Sequence, residues 1–187
     1  IFRGSCNPCN TMRKLLLYII GIFFALNSFA NACNFRIANF GDPKENIQLN
    51  SKYPEPLLLP DRFGGENLII PIEEVCEASQ NLWGTKLIYL YVDNKLSRIQ
   101  LYRPLMEDRN LMDFAMLKYG KFNLPEGMPK TRWRGNNIWD KNLEVIEYMV
   151  TDIHEGHVEI LEIVNKLYLP TIENYNEKVG KWLDSGQ

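Results

Sequence analysis

The chain is poor in the residues that most reaction chemistries need. It has two histidines in 187 residues, His154 and His157, and both lie in one hexapeptide. It contains no Gly-x-Ser-x-Gly elbow, so the sharp strand-to-helix turn that presents a hydrolase serine is not encoded. Gly41-Asp42-Pro43-Lys44 is not a phosphate loop, and Gly64-Gly65 says only that the backbone turns there. Charge of one sign is also lacking. Twenty-one basic residues face 23 acidic ones, which gives no long-range attraction to a phosphate backbone and excludes nucleic acid as the expected partner. No internal repeat is evident. The longest apolar stretch, Leu15 to Leu26, has 12 residues, short of the ~20 that span a bilayer.

That stretch is informative in another way. Met12 is followed by Arg13 and Lys14, then by the apolar run, then by Asn27-Ser28-Phe29-Ala30-Asn31-Ala32, which ends in a small-x-small cleavage pattern. Residues 12–32 therefore read as a signal peptide, residues 1–11 as an upstream, non-native extension, and residues 33–187 as a single exported domain, periplasmic in location. The Cys6-Asn7-Pro8-Cys9 spacing falls ahead of the signal and has no folded frame to tune it. Cleavage after Ala32 makes Cys33 the first residue. Ala30 stands where a lipoprotein signal carries a leucine-like residue, so membrane contact is expected only if Cys33 is lipidated.

All 23 acidic residues lie in 33–187, with 18 basic ones once Arg3, Arg13 and Lys14 are set aside, giving a net charge of -5. Cys33 and Cys76 remain, enough for one disulfide in an oxidising compartment.

Alternation and turn residues outline the rest. Residues 34–38 suit a brief strand. Asp42, Pro43 and Glu45 suit the start of a short helix, and 50–67 reads as a surface excursion punctuated by prolines. Leu68 to Ile72 suits an edge strand, because Pro71 has no amide hydrogen to donate. Residues 86–92 and 96–102 flank Asp93-Asn94-Lys95 as a hairpin, with Ser97, Ile99 and Leu101 on one face and Arg98, Gln100 and Tyr102 on the other. Residues 110–119 carry apolar residues at helical spacing, with Asp108 as a cap and Gly120 as the terminus. A second hairpin turns at 140–142, 157–168 leans towards a strand, and Ile172, Tyr175, Val179 and Trp182 mark one face of a terminal helix. The fold class is α+β, a mostly antiparallel sheet with helices packed on one face.

The hairpin turning at Asp93-Asn94-Lys95, followed by a helix that closes in Lys118-Tyr119-Gly120-Lys121, is similar to small exported domains of the β-lactamase-inhibitor-protein-like fold, over roughly residues 85–121. The resemblance implies binding of other proteins or a part in envelope assembly. It carries over no binding residues.

Two local constellations remain. Asp152-Ile153-His154-Glu155-Gly156-His157 offers borderline ligands, Asp152, His154, Glu155 and His157, suited to zinc. The second histidine comes one residue early for the His-Glu-x-x-His helical pattern, and Gly156 opposes a helix, so a solvent-facing turn with no cofactor is the plainer expectation. In Thr131-Arg132-Trp133-Arg134-Gly135, with Trp139 close behind, two guanidiniums and two indoles could grip a saccharide or an acidic peptide; alternatively Trp133 plugs the core while Arg132 and Arg134 stay wet. Lacking a convergent catalytic set, the chain is expected to be a noncatalytic domain that binds an envelope or other extracytoplasmic protein. A metal-binding protein or small metal-dependent hydrolase using the 152–157 turn, and carbohydrate or peptide binding through the 132–139 segment, are the alternatives.

Overall fold

The computed structural model describes residues 33–47, 57–76, 79–104, 107–154 and 156–185. The signal-peptide reading, the 1–11 extension, Glu155 and residues 50–56 of the 50–67 excursion lie outside the described residues.

Seven strands form one sheet: β1 (Leu57–Pro60), β2 (Gly65–Pro71), β3 (Lys86–Val92), β4 (Lys95–Pro104), β5 (Gly135–Asp140), β6 (Glu144–Ile153) and β7 (Gly156–Asn165). Their spatial order is β1-β2-β3-β4-β7-β6-β5, and every pairing is antiparallel. Two meanders therefore meet. The first lays down β1 to β4 in order; the second runs from β5 back to β7, which pairs with β4. Helix α1 (Asn110–Tyr119) lies in the connection between the meanders, and α2 (Leu169–Asp184) closes the chain. The α+β class and the antiparallel sheet follow the pattern of the sequence.

The tight turns use the residues expected of them. Asp93 and Asn94 adopt φ of 52° and 56°, the left-handed pair that lets a two-residue turn match the twist of its strands. Period-two alternation then decides burial. Leu87, Tyr89, Ile99, Leu101, Leu161, Ile163, Ile146 and Tyr148 point to one face and are fully buried, joined there by Leu111, Met112 and Ala115 of α1. The alternation slips where the β3–β4 register shifts between Leu90 and Tyr91: Leu96 opposes Tyr91 and joins the main core, and Ser97, left without a partner in the ladder, is also fully buried. Leu90 and Val92 belong to a second, smaller cluster with Tyr175. Since Tyr89 and Leu90 are consecutive on a strand, the two clusters lie on opposite faces. Thus α1 occupies the main core face, as expected for the helices, whereas α2 seats on the reverse face. Tyr175 lies over Gly65, where a Cβ would come within 2.4 Å of its ring, and its hydroxyl donates to Asp61 at 2.5 Å.

Three local expectations change. Residues 34–38 form no strand; the segment is held instead by the Tyr89 hydroxyl, which donates to the Phe35 carbonyl, and just beyond it Gly41 and Asp42 exchange backbone hydrogen bonds with Leu96. Asp42 does not cap the turn of 3-10 helix at Lys44–Asn46; its carboxylate reaches back to the Asn39 amide at 2.9 Å. β2 is not an edge strand, because β1, concealed in the proline-rich excursion, pairs outside it. Pro71 is tolerated as the last residue of β2.

Cys33 and Cys76 are joined in a disulfide, the one that the two cysteines of 33–187 allow. The bond takes up the Cys33 sulfur, the atom a thioether-linked lipid would need.

Candidate functional site

The hairpin tip between β6 and β7 brings Asp152 directly opposite His157. Neither is idle. The Asp152 carboxylate accepts from Nε of Arg134 at 2.8 Å. His157 Nε2 lies 2.8 Å from Nη1 of Arg109. A guanidinium only donates, so this imidazole nitrogen is the acceptor and carries no proton. His154 is exposed at the turn. A metal at this tip would have to displace two arginines from its own ligands, and among the described residues no three His, Cys, Asp or Glu side chains converge as a metal-holding group.

The 132–139 segment divides by parity. Trp133 turns inward and is buried, stacked on Tyr148 with ring centroids 5.9 Å apart and edged by Phe122 at 5.3 Å. Trp139 is half-buried; it contacts Tyr119 and Phe122 and donates Nε1–H to the Gly120 carbonyl at 3.0 Å. Arg132 and Arg134 remain on the outside, with Arg134 fastened to Asp152 and to the Thr131 and Trp133 carbonyls. The four residues therefore do not form one aromatic and cationic cradle. The indoles belong to the core and to the end of α1, and the guanidiniums to the surface.

A polar cluster that the sequence reading passed over lies directly beneath. Glu159 on β7 is 1% exposed and Arg103 on β4 is 2% exposed, and the two residues face each other in register. Glu159 Oε1 accepts from the Tyr148 hydroxyl at 2.5 Å and from the Met112 amide in the first turn of α1 at 3.2 Å. Arg103 donates to the Asn81 carbonyl at 2.6 Å and to Asp108 at 3.0 Å, and its Nε stands 3.8 Å from Glu159 Oε2. Arg109 reaches the Thr131 carbonyl at 2.8 Å as well as His157. Burial raises the Glu159 carboxyl above its ordinary value, while the Tyr148 hydroxyl, Arg109, the Met112 amide and Arg103 act in the opposite sense. Burial also pushes the Tyr148 hydroxyl upward, with the Glu159 charge adding to it. The network ties the entry of α1, the 130–134 loop and three strands to one carboxylate. Its signal was available in the alternation: 99, 101 and 103 share a face, as do 157, 159, 161 and 163.

The most open feature is the β5 side of the sheet. The Lys141 amide donates to the Glu144 carbonyl at 2.9 Å, and with the β5–β6 register this sets the hydrogen-bonding phase. Gly135, Asn137 and Trp139 direct their backbone groups to β6, whereas Asn136, Ile138 and Asp140 direct theirs away from it. No strand among the described residues meets that outer row. Ile138 is 56% exposed beside it. Leu143 and Leu167, exposed by 72% and 76%, sit at the adjoining corner, where the Lys166 amide donates to the Leu143 carbonyl at 2.8 Å. No helix among the described residues is long and apolar enough to cross a membrane.

No family model, no curated protein and no solved structure matches this chain.

Proposed function

We propose that this chain is a noncatalytic exported domain of the periplasm or cell envelope that binds another protein. The observation that carries the reading is the open β5 edge with Ile138, Leu143 and Leu167 exposed beside it. A row of outward backbone donors and acceptors that no strand among the described residues meets, flanked by exposed aliphatic side chains, is what strand-addition partners use: the backbone supplies affinity and the side chains supply selection. The Cys33–Cys76 disulfide accords with an oxidising compartment. The polar clusters favour the same reading over zinc or saccharide binding, because the Asp152, His157, Trp133 and Trp139 polar and aromatic groups are engaged within the chain itself.

The test is comparative capture. Exported extracts are passed over immobilised wild-type protein and over an Ile138→Lys, Leu143→Glu double variant, both shown to be folded by circular dichroism. A specific protein retained by the wild type and released by the variant is the expected result. Equal retention of every protein by the two would remove this edge from the reading.

A further inference from the structure

The β5 edge has a property that selects its occupant. Its interior, Gly135 to Trp139, carries no charge, while a cation, Arg134, precedes it and an anion, Asp140, ends it. A strand with opposite charges at its two ends complements an antiparallel copy of itself. We infer that β5 pairs with β5 of a second copy of this chain across a two-fold axis at Asn137. This deepens the protein-binding reading above and rests on it.

The backbone phase restricts the registers. Outward-directed residues must oppose outward-directed residues, so Asn136, Ile138 and Asp140 can only face members of the same set or Arg134. With Asn137 on the axis, Asn136 of each copy opposes Ile138 of the other, and Arg134 comes beside Asp140 at both ends. The central pairs exchange roughly four backbone hydrogen bonds. The two Ile138 side chains become diagonal neighbours on the reverse face, within reach of one another. Shifting the axis to Ile138 is also allowed by phase, but it sets Asp140 opposite Asn136 and leaves Arg134 beyond the strand. Arg134 and Asp140 already hold Asp152 and Lys166 within their own chain, so pairing would join these into a four-residue alternating row at each end. The result is a continuous sheet of two sevens. β5 carries none of the devices that discourage such joining: no proline, no lysine and no bulge.

Sedimentation velocity across a micromolar to millimolar series, together with cysteine crosslinking, tests this. Asn137 opposite itself is a non-hydrogen-bonded pair with Cα atoms about 4.5 Å apart, inside the range a disulfide bridges. Asn137→Cys is therefore expected to oxidise to a covalent dimer, and Ile138→Cys to do so less. Ile138→Pro removes an outward amide and no β5–β6 bond, so it should weaken the dimer by at least about tenfold while the melting transition stays cooperative. A chain that remains monomeric throughout, with no crosslink at position 137, overturns the inference. So does a dimer that survives Ile138→Pro unchanged and does not crosslink there. If the chain is monomeric yet still captures another protein through Ile138, self-pairing alone fails and the broader reading stands. If the 137 crosslink forms and no other protein is captured, the second copy is the partner.

Discussion

Two pairs of arginines occupy the same end of the molecule under opposite conditions. Arg103 and Arg109 are buried, and their guanidiniums are spent on Asn81, Asp108, Thr131 and His157, with Glu159 at the centre. Arg132 and Arg134 follow Thr131, whose carbonyl Arg109 holds, and stay exposed, and Arg134 makes an ion pair with an Asp152 that is 73% exposed. By residue type, the outer pair, bracketing a tryptophan, is the more eye-catching. By environment, the inner pair sets the structure. A charge taken out of water must be compensated by every neighbour it has, whereas one left in water is compensated by the solvent.

Replacing the inner charge is expected to have the larger consequence. Arg103→Met leaves Glu159 buried without its facing cation and should destabilise the fold by about 3–5 kcal/mol, read from urea denaturation midpoints at constant slope. A subtler change probes the other half of the same network. Glu159 titrates higher in the folded chain than its ordinary value, so in the pH window between the two values the folded chain retains more of this proton than the unfolded chain does. Stability contributed by this group is therefore greatest in acid and declines as pH rises through the window above about 4.5. Glu159→Gln should flatten that part of the curve, and denaturation of the two proteins between pH 4 and 7 measures it. If the wild type and variant have parallel profiles, the carboxyl does not carry the slope. The outer pair is expected to matter least. Arg134→Ala removes an exposed ion pair and should shift stability by no more than about 1 kcal/mol, diminishing further in salt. A loss as large as that of Arg103→Met would erase the distinction between the pairs.

Local grammar made much of this fold legible. Asp93 and Asn94 tolerate the left-handed backbone, so the β3–β4 hairpin could be read from a dipeptide and the alternation around it. Gly120, at φ 116°, ends α1 where expected, and β7 is a strand as its composition and the preceding turn suggest. What escaped was decided by distant parts of the chain. β1 is recognisable only because β2 offers it an edge, and Pro71 could be placed inside the sheet only once it was seen to end β2. The 34–38 segment has the composition of a strand, yet the Tyr89 hydroxyl engages its backbone at Phe35 and Ile37 instead of a neighbouring strand. At the candidate sites the residue types were legible and their directions were not. Of the two readings open for the 131–135 segment, the one in which Trp133 plugs the core holds: its ring stacks on Tyr148, a contact that only the assembled sheet provides. Glu159 and Arg103 belong to no motif, and only their parity, shared with Ile99 and Leu101 on β4 and Leu161 and Ile163 on β7, points inward.

The Cys33–Cys76 bond also reroutes force. Any pull applied at the amino-terminal side of Cys33 passes through sulfur to Cys76 and leaves the 42 residues between them out of the load path. β1 and β2 lie within that shielded span, so tension enters the sheet at β3, in its middle. A domain held at its leading end would thus bear strain along its interior hairpins, while its first two strands, covalently bypassed, remain slack.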